Sequence, residues 1–168
     1  MEKIALYYRS DAGGGIVETG TLKDIIRYIE KERIFEYPLS WFEFAKEPDF
    51  SHVDDLVSLQ IELSKFATPE DLYTVEKLTS DPYVLRYCNI KNNVCFDISQ
   101  GDISHICSHL EYSNIFGLDL YDVKTPTELR RKLERINTED VKLILTPLSI
   151  NDTDEARKVA GLYDYYDY

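Results

Sequence analysis

Apolar positions along this 168-residue chain recur with two different periods. Ile4 to Arg9 is rich in β-formers, and Ile16-Val17-Glu18-Thr19 follows Asp11-Ala12-Gly13-Gly14-Gly15, which predicts two strands joined by a glycine turn. From Thr21 the period lengthens. Leu22, Ile25, Ile26 and Ile29 share one helical face, and the Thr21 hydroxyl with Asp24 three residues on forms a capping signature. Pro38 ends that region, and Trp41-Phe42-Glu43-Phe44 predicts a third strand. A helix is expected from about Ser51 to Phe66, with Val53, Leu56, Val57 and Leu63 as its apolar face. A second opens at Thr68-Pro69-Glu70-Asp71, where Thr68 caps, Pro69 takes the first helical position and the acids meet the positive end of the dipole.

The second half repeats these signals. Tyr83 to Ile90 and Val94 to Ile98 read as a hairpin around Lys91-Asn92-Asn93, where Asn tolerates the positive φ of a tight turn. Asp102 to Tyr112 reads as a helix, Ile115 to Tyr121 as a strand, and Thr125-Pro126-Thr127-Glu128 as the start of a helix that turns Leu129, Leu133 and Ile136 inward. Val141 to Leu145 predicts a buried strand, and Asp152 to about Leu162 a last helix. The class is therefore α+β, with mixed or antiparallel sheets and packed helices. Residues 4 to 44 and 84 to 121 share the order strand, turn, strand, helix, strand, as two diverged ββαβ modules would. The expected organisation is one compact domain over 1–168, with a subdivision into 1–80 and 81–168 as the alternative.

Charge changes the picture more than size does. Asp plus Glu number 31 against 19 Lys plus Arg, a formal net charge of −12. Such a field repels free nucleic acid and anionic membranes and attracts a basic protein surface. The first nine residues are too short and too charged for a signal peptide or a membrane span. Cys88, Cys95 and Cys107 are odd in number and lack a C-x-x-C spacing, which suits reduced thiols in a cytoplasmic protein better than a disulfide framework.

Chemical motifs are few. Gly13-Gly14-Gly15 lies between two strands and has no following Lys, unlike a phosphate loop. His105 and His109 share a helical face with the spacing of a zinc-binding pair, but two further ligands are needed and Cys107 points elsewhere on the helix. No nucleophile elbow or His-Glu-x-x-His occurs. No cofactor or metal is expected, and catalysis is left to a dispersed site that the sequence cannot assemble.

The acids are unevenly placed. Asn92 to Val123 holds no Lys or Arg but carries Asp97, Asp102, Glu111, Asp119 and Asp122. Glu43 to Asp55 is a second acidic stretch. The C-terminal region adds Asp152, Asp154, Glu155, Asp164 and Asp167, the last two among Tyr163, Tyr165, Tyr166 and Tyr168. Carboxylates three apart on a helix lie ~5–6 Å apart, comparable to phosphate spacings. Exposed Tyr rings add apolar contact. The candidate partner-binding set is Asp97, Asp102, Glu111, Asp119, Asp122, Asp152, Glu155, Asp164, Asp167, Tyr165 and Tyr166. The basic concentration Lys124, Arg130, Arg131, Lys132 and Arg135 reads as the polar side of one helix, able to serve the acidic tail or a homodimer.

In size, acidity and Tyr content the chain is similar to phage and mobile-element inhibitors of host defence, the anti-CRISPR and anti-restriction proteins. That resemblance is one of composition and transfers no residue. It implies a non-catalytic protein that occupies the nucleic-acid-binding surface of a CRISPR effector or restriction enzyme, without binding nucleic acid or membrane itself. The alternatives are a regulatory or structural interaction module, and a small enzyme.

Overall fold

In the computed structural model the described residues are 2–10, 13–34, 48–65, 71–114 and 116–148. The chain divides into two compact units, Met1–Leu78 and Thr79–Tyr168. The strand expected at Trp41–Phe44 and the helix expected from Asp152 lie outside the described residues.

Unit 1 runs β1 (Ile4–Ser10), β2 (Gly13–Gly20), α1 (Leu22–Glu32), α2 (Leu56–Ser64) and β3 (Asp71–Lys77). Unit 2 runs β4 (Tyr83–Asn89), β5 (Val94–Gly101), α3 (Ile103–Ser113), α4 (Pro126–Glu134) and β6 (Val141–Pro147). Each unit builds a three-stranded antiparallel sheet, in the orders β2-β1-β3 and β5-β4-β6. The fold is α+β, and both units follow one ββααβ plan.

The correspondence extends to local chemistry. The hairpin register shifts between Leu6 and Tyr7 in one unit and between Leu85 and Arg86 in the other. Each second strand ends in glycine, Gly20 or Gly101, followed at once by the helix cap, Thr21 or Asp102. Both first helices end on a residue with positive φ, Arg33 at 49° and Asn114 at 47°. Leu6 and Leu85, Ile25 and Ile106, Asp49 and Asp119, Val53 and Val123, and Leu59 and Leu129 are identical at equivalent places.

Among the described residues each of the four helices is capped by a side chain that accepts the N–H three residues on: Thr21 from Asp24 at 3.3 Å, Asp55 from Ser58 at 2.7 Å, Asp102 from His105 at 2.8 Å and Thr125 from Glu128 at 3.2 Å. Such caps satisfy amides that the helix leaves orphaned and contribute ~1 kcal/mol each. The Gln60 amide donates to the Tyr73 carbonyl and accepts from the Val75 N–H, and at the equivalent place the Arg130 guanidinium donates to the Leu145 carbonyl. Both second helices thereby hold the edge strand of their own sheet, covering backbone groups open to stray pairing.

Helices cover one sheet face, packing Leu6, Ile25, Ile29, Leu59, Leu63 and Val75 in unit 1 and Leu85, Ile106, Leu110, Leu129, Leu133 and Leu145 in unit 2. The central strands are buried on the opposite face too, through Ala5 and Tyr7 of β1 and Val84, Arg86 and Cys88 of β4.

Four expectations need correction. The helix expected at Thr68–Asp71 gives way from Asp71 to strand β3, because Tyr73 and Val75 alternate inward and pair along β1. Thr-Pro-Glu-Asp is a local cap signature, and sheet pairing overrides it. The strand expected over Ile115–Tyr121 is irregular chain across its described part: Gly117 takes φ 60°, and the Asp119 carboxylate accepts the Tyr121 N–H in a turn. Leu118 and Leu120 alternate there because a loop packs them into the core. The helix expected from Ser51 starts at Leu56, since Asp49 accepts the Ser51 N–H and Asp55 supplies the cap. Finally, Cys88 and Cys95 are cross-strand partners joined by a disulfide, leaving Cys107 as a free buried thiol.

Candidate functional site

The sequence-selected acids do different jobs. Asp97 on β5 stands opposite Arg86 on β4 and accepts from its Nε at 2.7 Å and from the Gln100 amide at 2.9 Å. Arg86 is 1% exposed and also donates to the Thr146 hydroxyl at 3.2 Å, so this carboxylate neutralises a buried cation. Asp102 is 4% exposed. One oxygen caps α3 and the other accepts from the N–H and hydroxyl of Thr79, both at 3.0 Å. It is withdrawn from the partner-binding set, because a carboxylate spent on its own backbone presents no charge to a partner. Asp152, Glu155, Asp164, Asp167, Tyr165 and Tyr166 lie outside the described residues.

Glu111, Asp119 and Asp122 remain, all exposed: Glu111 lines a concavity of unit 2, while Asp119 and Asp122 flank Leu120 and Tyr121 on the chain that forms its other wall. A groove of about 390 Å³ lies between α3 and the chain leading into α4. Ser104, Cys107, Ser108 and Glu111 line it from α3 at helical spacing, Tyr121 and Lys124 from the facing loop, and Thr79 and Ser80 close one end. Ile103, Leu120 and Val123 make its floor apolar. Ile106 and Leu110 hold α3 in the core, which turns the Ser104–Ser108–Glu111 side outward. Tyr121 is 83% exposed at the rim.

The electrostatics centre on Glu111 and Lys124. Among the described residues neither side chain forms a hydrogen bond or an ion pair. Burial pushes the Cys107 thiol up to about 11, the Glu111 charge raising it further and Lys124 opposing. The thiol stays protonated at neutral pH and is no nucleophile. His105 is half-buried and His109 exposed, and among the described residues no three His, Cys, Asp or Glu side chains gather as a metal site.

A second cleft, of about 190 Å³, is bounded by Asp122, Glu128, Arg131, Lys132 and Arg135 on the outer side of α4. Arg130 leaves that basic group, turning instead to the Leu145 carbonyl and lying 5.8 Å from the Tyr83 ring centre. In unit 1 the equivalent helix exposes Val57 (67%) and Ile61 (57%), where α4 carries Thr127 and Arg131.

Sequence reasoning missed the groove and the buried Arg86. The groove's signal was the Ser104-x-x-Cys107-Ser108 spacing of small side chains, which has meaning only once a loop is known to pass over it. Nothing local marks Arg86, since an arginine in a β-rich run reads as solvent-facing. No known protein family, curated protein or solved structure matches the chain.

Proposed function

We propose that this protein is a non-catalytic inhibitor, of the anti-CRISPR or anti-restriction kind encoded by phage or mobile elements, whose acidic surface occupies the basic nucleic-acid-binding face of a host defence nuclease. The observation that carries the reading is the set of exposed carboxylates Glu111, Asp119 and Asp122, none in an ion pair among the described residues, with Glu111 lining the groove of unit 2 and Asp119 and Asp122 flanking the Leu120 and Tyr121 that face it. Surface carboxylates spread for solubility alone need not border a concavity with an aromatic rim. A basic groove with guanidinium and ammonium groups spaced for phosphates finds complementary charge there, and the Tyr121 ring supplies the apolar contact that bases otherwise make.

Affinity capture from nuclease-treated host lysate, followed by mass spectrometry, identifies the partner. The expected product is a nucleic-acid enzyme whose binding weakens steeply between low and high salt, as exposed charge pairs do. Recovery of a partner whose affinity ignores ionic strength overturns electrostatic mimicry.

A second reading, an interaction module without mimicry, draws on the exposed Val57–Ile61 pair on α2. The other unit keeps the same fold with Thr127 and Arg131 there, so folding does not call for apolar side chains at these positions. Val57→Ser with Ile61→Ser leaves partner binding intact under the first reading and abolishes it under the second.

A further inference from the structure

We infer that the groove of unit 2 is a receptor for an arginine side chain of the protein partner, with Glu111 as the counter-charge. The inference deepens the proposed function and rests on it for the identity of the partner, but not for the chemistry of the groove.

The duplicated plan supplies an internal comparison. The α1 positions equivalent to Ser104, Cys107, Ser108 and Glu111 are Lys23, Ile26, Arg27 and Glu30. The acid is kept, while Lys, Ile and Arg become Ser, Cys and Ser. Both helices keep the same length, cap position and left-handed end. The smaller side chains are therefore no demand of the fold, and they line the groove. At the place of Ser108 unit 1 carries Arg27, which is exposed and acts electrostatically on Asp24. A guanidinium brought from outside fits what is left. The floor of Ile103, Leu120 and Val123 takes its methylene stem, the Tyr121 ring offers a face, and the Glu111 carboxylate offers two acceptors to a planar fork of donors.

Lys124 on the opposite wall is the one group that opposes such a ligand, and it sets the sign of the test. For a cationic guest, Glu111→Gln weakens binding and Lys124→Ala strengthens it. For an anionic guest both signs reverse.

The experiment is a chemical-shift titration of the isotope-labelled full chain with N-acetyl-arginine methylamide, and separately with N-acetyl-glutamate methylamide. Backbone amides of Ser104, Ser108, Glu111 and Tyr121 report. The expected result is a saturable shift of those amides with the arginine compound, weakened about threefold to tenfold by Glu111→Gln, strengthened by Lys124→Ala and abolished by Ser108→Arg, which refills the groove from within. Equal response to both compounds, response to the glutamate compound alone, no shift, or insensitivity to Glu111→Gln overturns the inference. Glu111 is exposed and nearly isosteric with Gln, so that variant remains informative if Ser108→Arg fails to fold. Failure of this titration leaves the salt-dependent capture of a partner standing. Conversely, failure of the capture leaves an arginine-selective groove.

Discussion

Replacing Asp97 with Ala tests the electrostatics of the second sheet most directly. Arg86 is 1% exposed on the face of β4 turned away from the helices, and its partners include the Asp97 carboxylate at 2.7 Å and the neutral Thr146 hydroxyl at 3.2 Å. Removing one partner of a fully buried pair costs about 3–5 kcal/mol, because the surviving charge is stranded. The Asp97 side chain is 34% exposed, so water reaches its side of the pair and the penalty is screened. The Thr146 bond and the guanidinium's further contact also survive. The expected loss for Asp97→Ala is therefore about 2–3 kcal/mol, near the value of a charge-assisted hydrogen bond plus partial desolvation. Arg86→Met removes the charge instead of stranding it, and the double variant Arg86→Met with Asp97→Ala is expected to be more stable than Asp97→Ala alone. Urea unfolding followed by near-ultraviolet circular dichroism reads both, with the urea midpoint moving at constant slope. An Asp97→Ala midpoint within about 0.5 kcal/mol of the parent, or a double variant weaker than the single, refutes the reasoning. Partner capture with the same variant then separates the structural role of Asp97 from contact, since Gln100 and Arg86 already occupy its oxygens.

Other outcomes follow from single sites. Gly14→Ala places a methyl group into the Tyr8 carbonyl oxygen and 2.7 Å from the Arg9 Cα, all backbone that cannot rotate away, and is expected to cost about 1–3 kcal/mol of stability, read as a lower thermal midpoint, whereas Ala in place of Asn92 at the solvent-facing hairpin turn is mild. Reducing the Cys88–Cys95 bridge opens a loop of sequence separation 7 and costs about 2 kcal/mol by chain entropy; alkylation that finds both thiols free before reductant is added refutes the pairing. The Cys107 thiol is raised in the folded protein to about 11, so its contribution to stability is complete below the unfolded value and is lost as pH climbs from about 9 to 11. Cys107→Ala flattens that alkaline limb, and an unchanged limb contradicts the burial argument. Glu62 accepts from the Lys65 ammonium at 2.7 Å and from the Asp49 N–H at 2.9 Å, and the Lys65 bond holds its carboxyl below the usual range. Its stabilisation is present above the unfolded pKa and lost as pH falls through the lowered one. Glu62→Gln is expected to make acid unfolding less steep.

Much of the architecture was legible because its signals are local. The Thr21–Asp24 capping box, the Asn93 turn and the Thr125-Pro126 helix start each depend on residues within four positions of one another, and the structure has all three. Recognition of a repeated plan also came from element order, although β3 stands where a helix was expected to run on from Thr68, and the edge strand of unit 2 proved to be β6 rather than Ile115–Tyr121. Those errors share a cause. A strand at the edge of a sheet is selected by pairing with a partner some 70 residues away in unit 1 and about 60 in unit 2, a distance that no local pattern measures.

Charge shows the same division. From the sequence alone came the net −12, the 32 residues of 92–123 without Lys or Arg, and the membership of Glu111, Asp119 and Asp122 in that stretch. Only the tertiary structure decided which of its acids face outward. Asp97 was drawn to a buried guanidinium on the neighbouring strand and Asp102 to the orphaned amides of a helix start, while Glu111 was left unpaired beside a groove that small side chains open. The physical reason is that a carboxylate's charge is a property of its residue type, whereas its availability to a partner depends on what the fold has already placed within hydrogen-bonding reach.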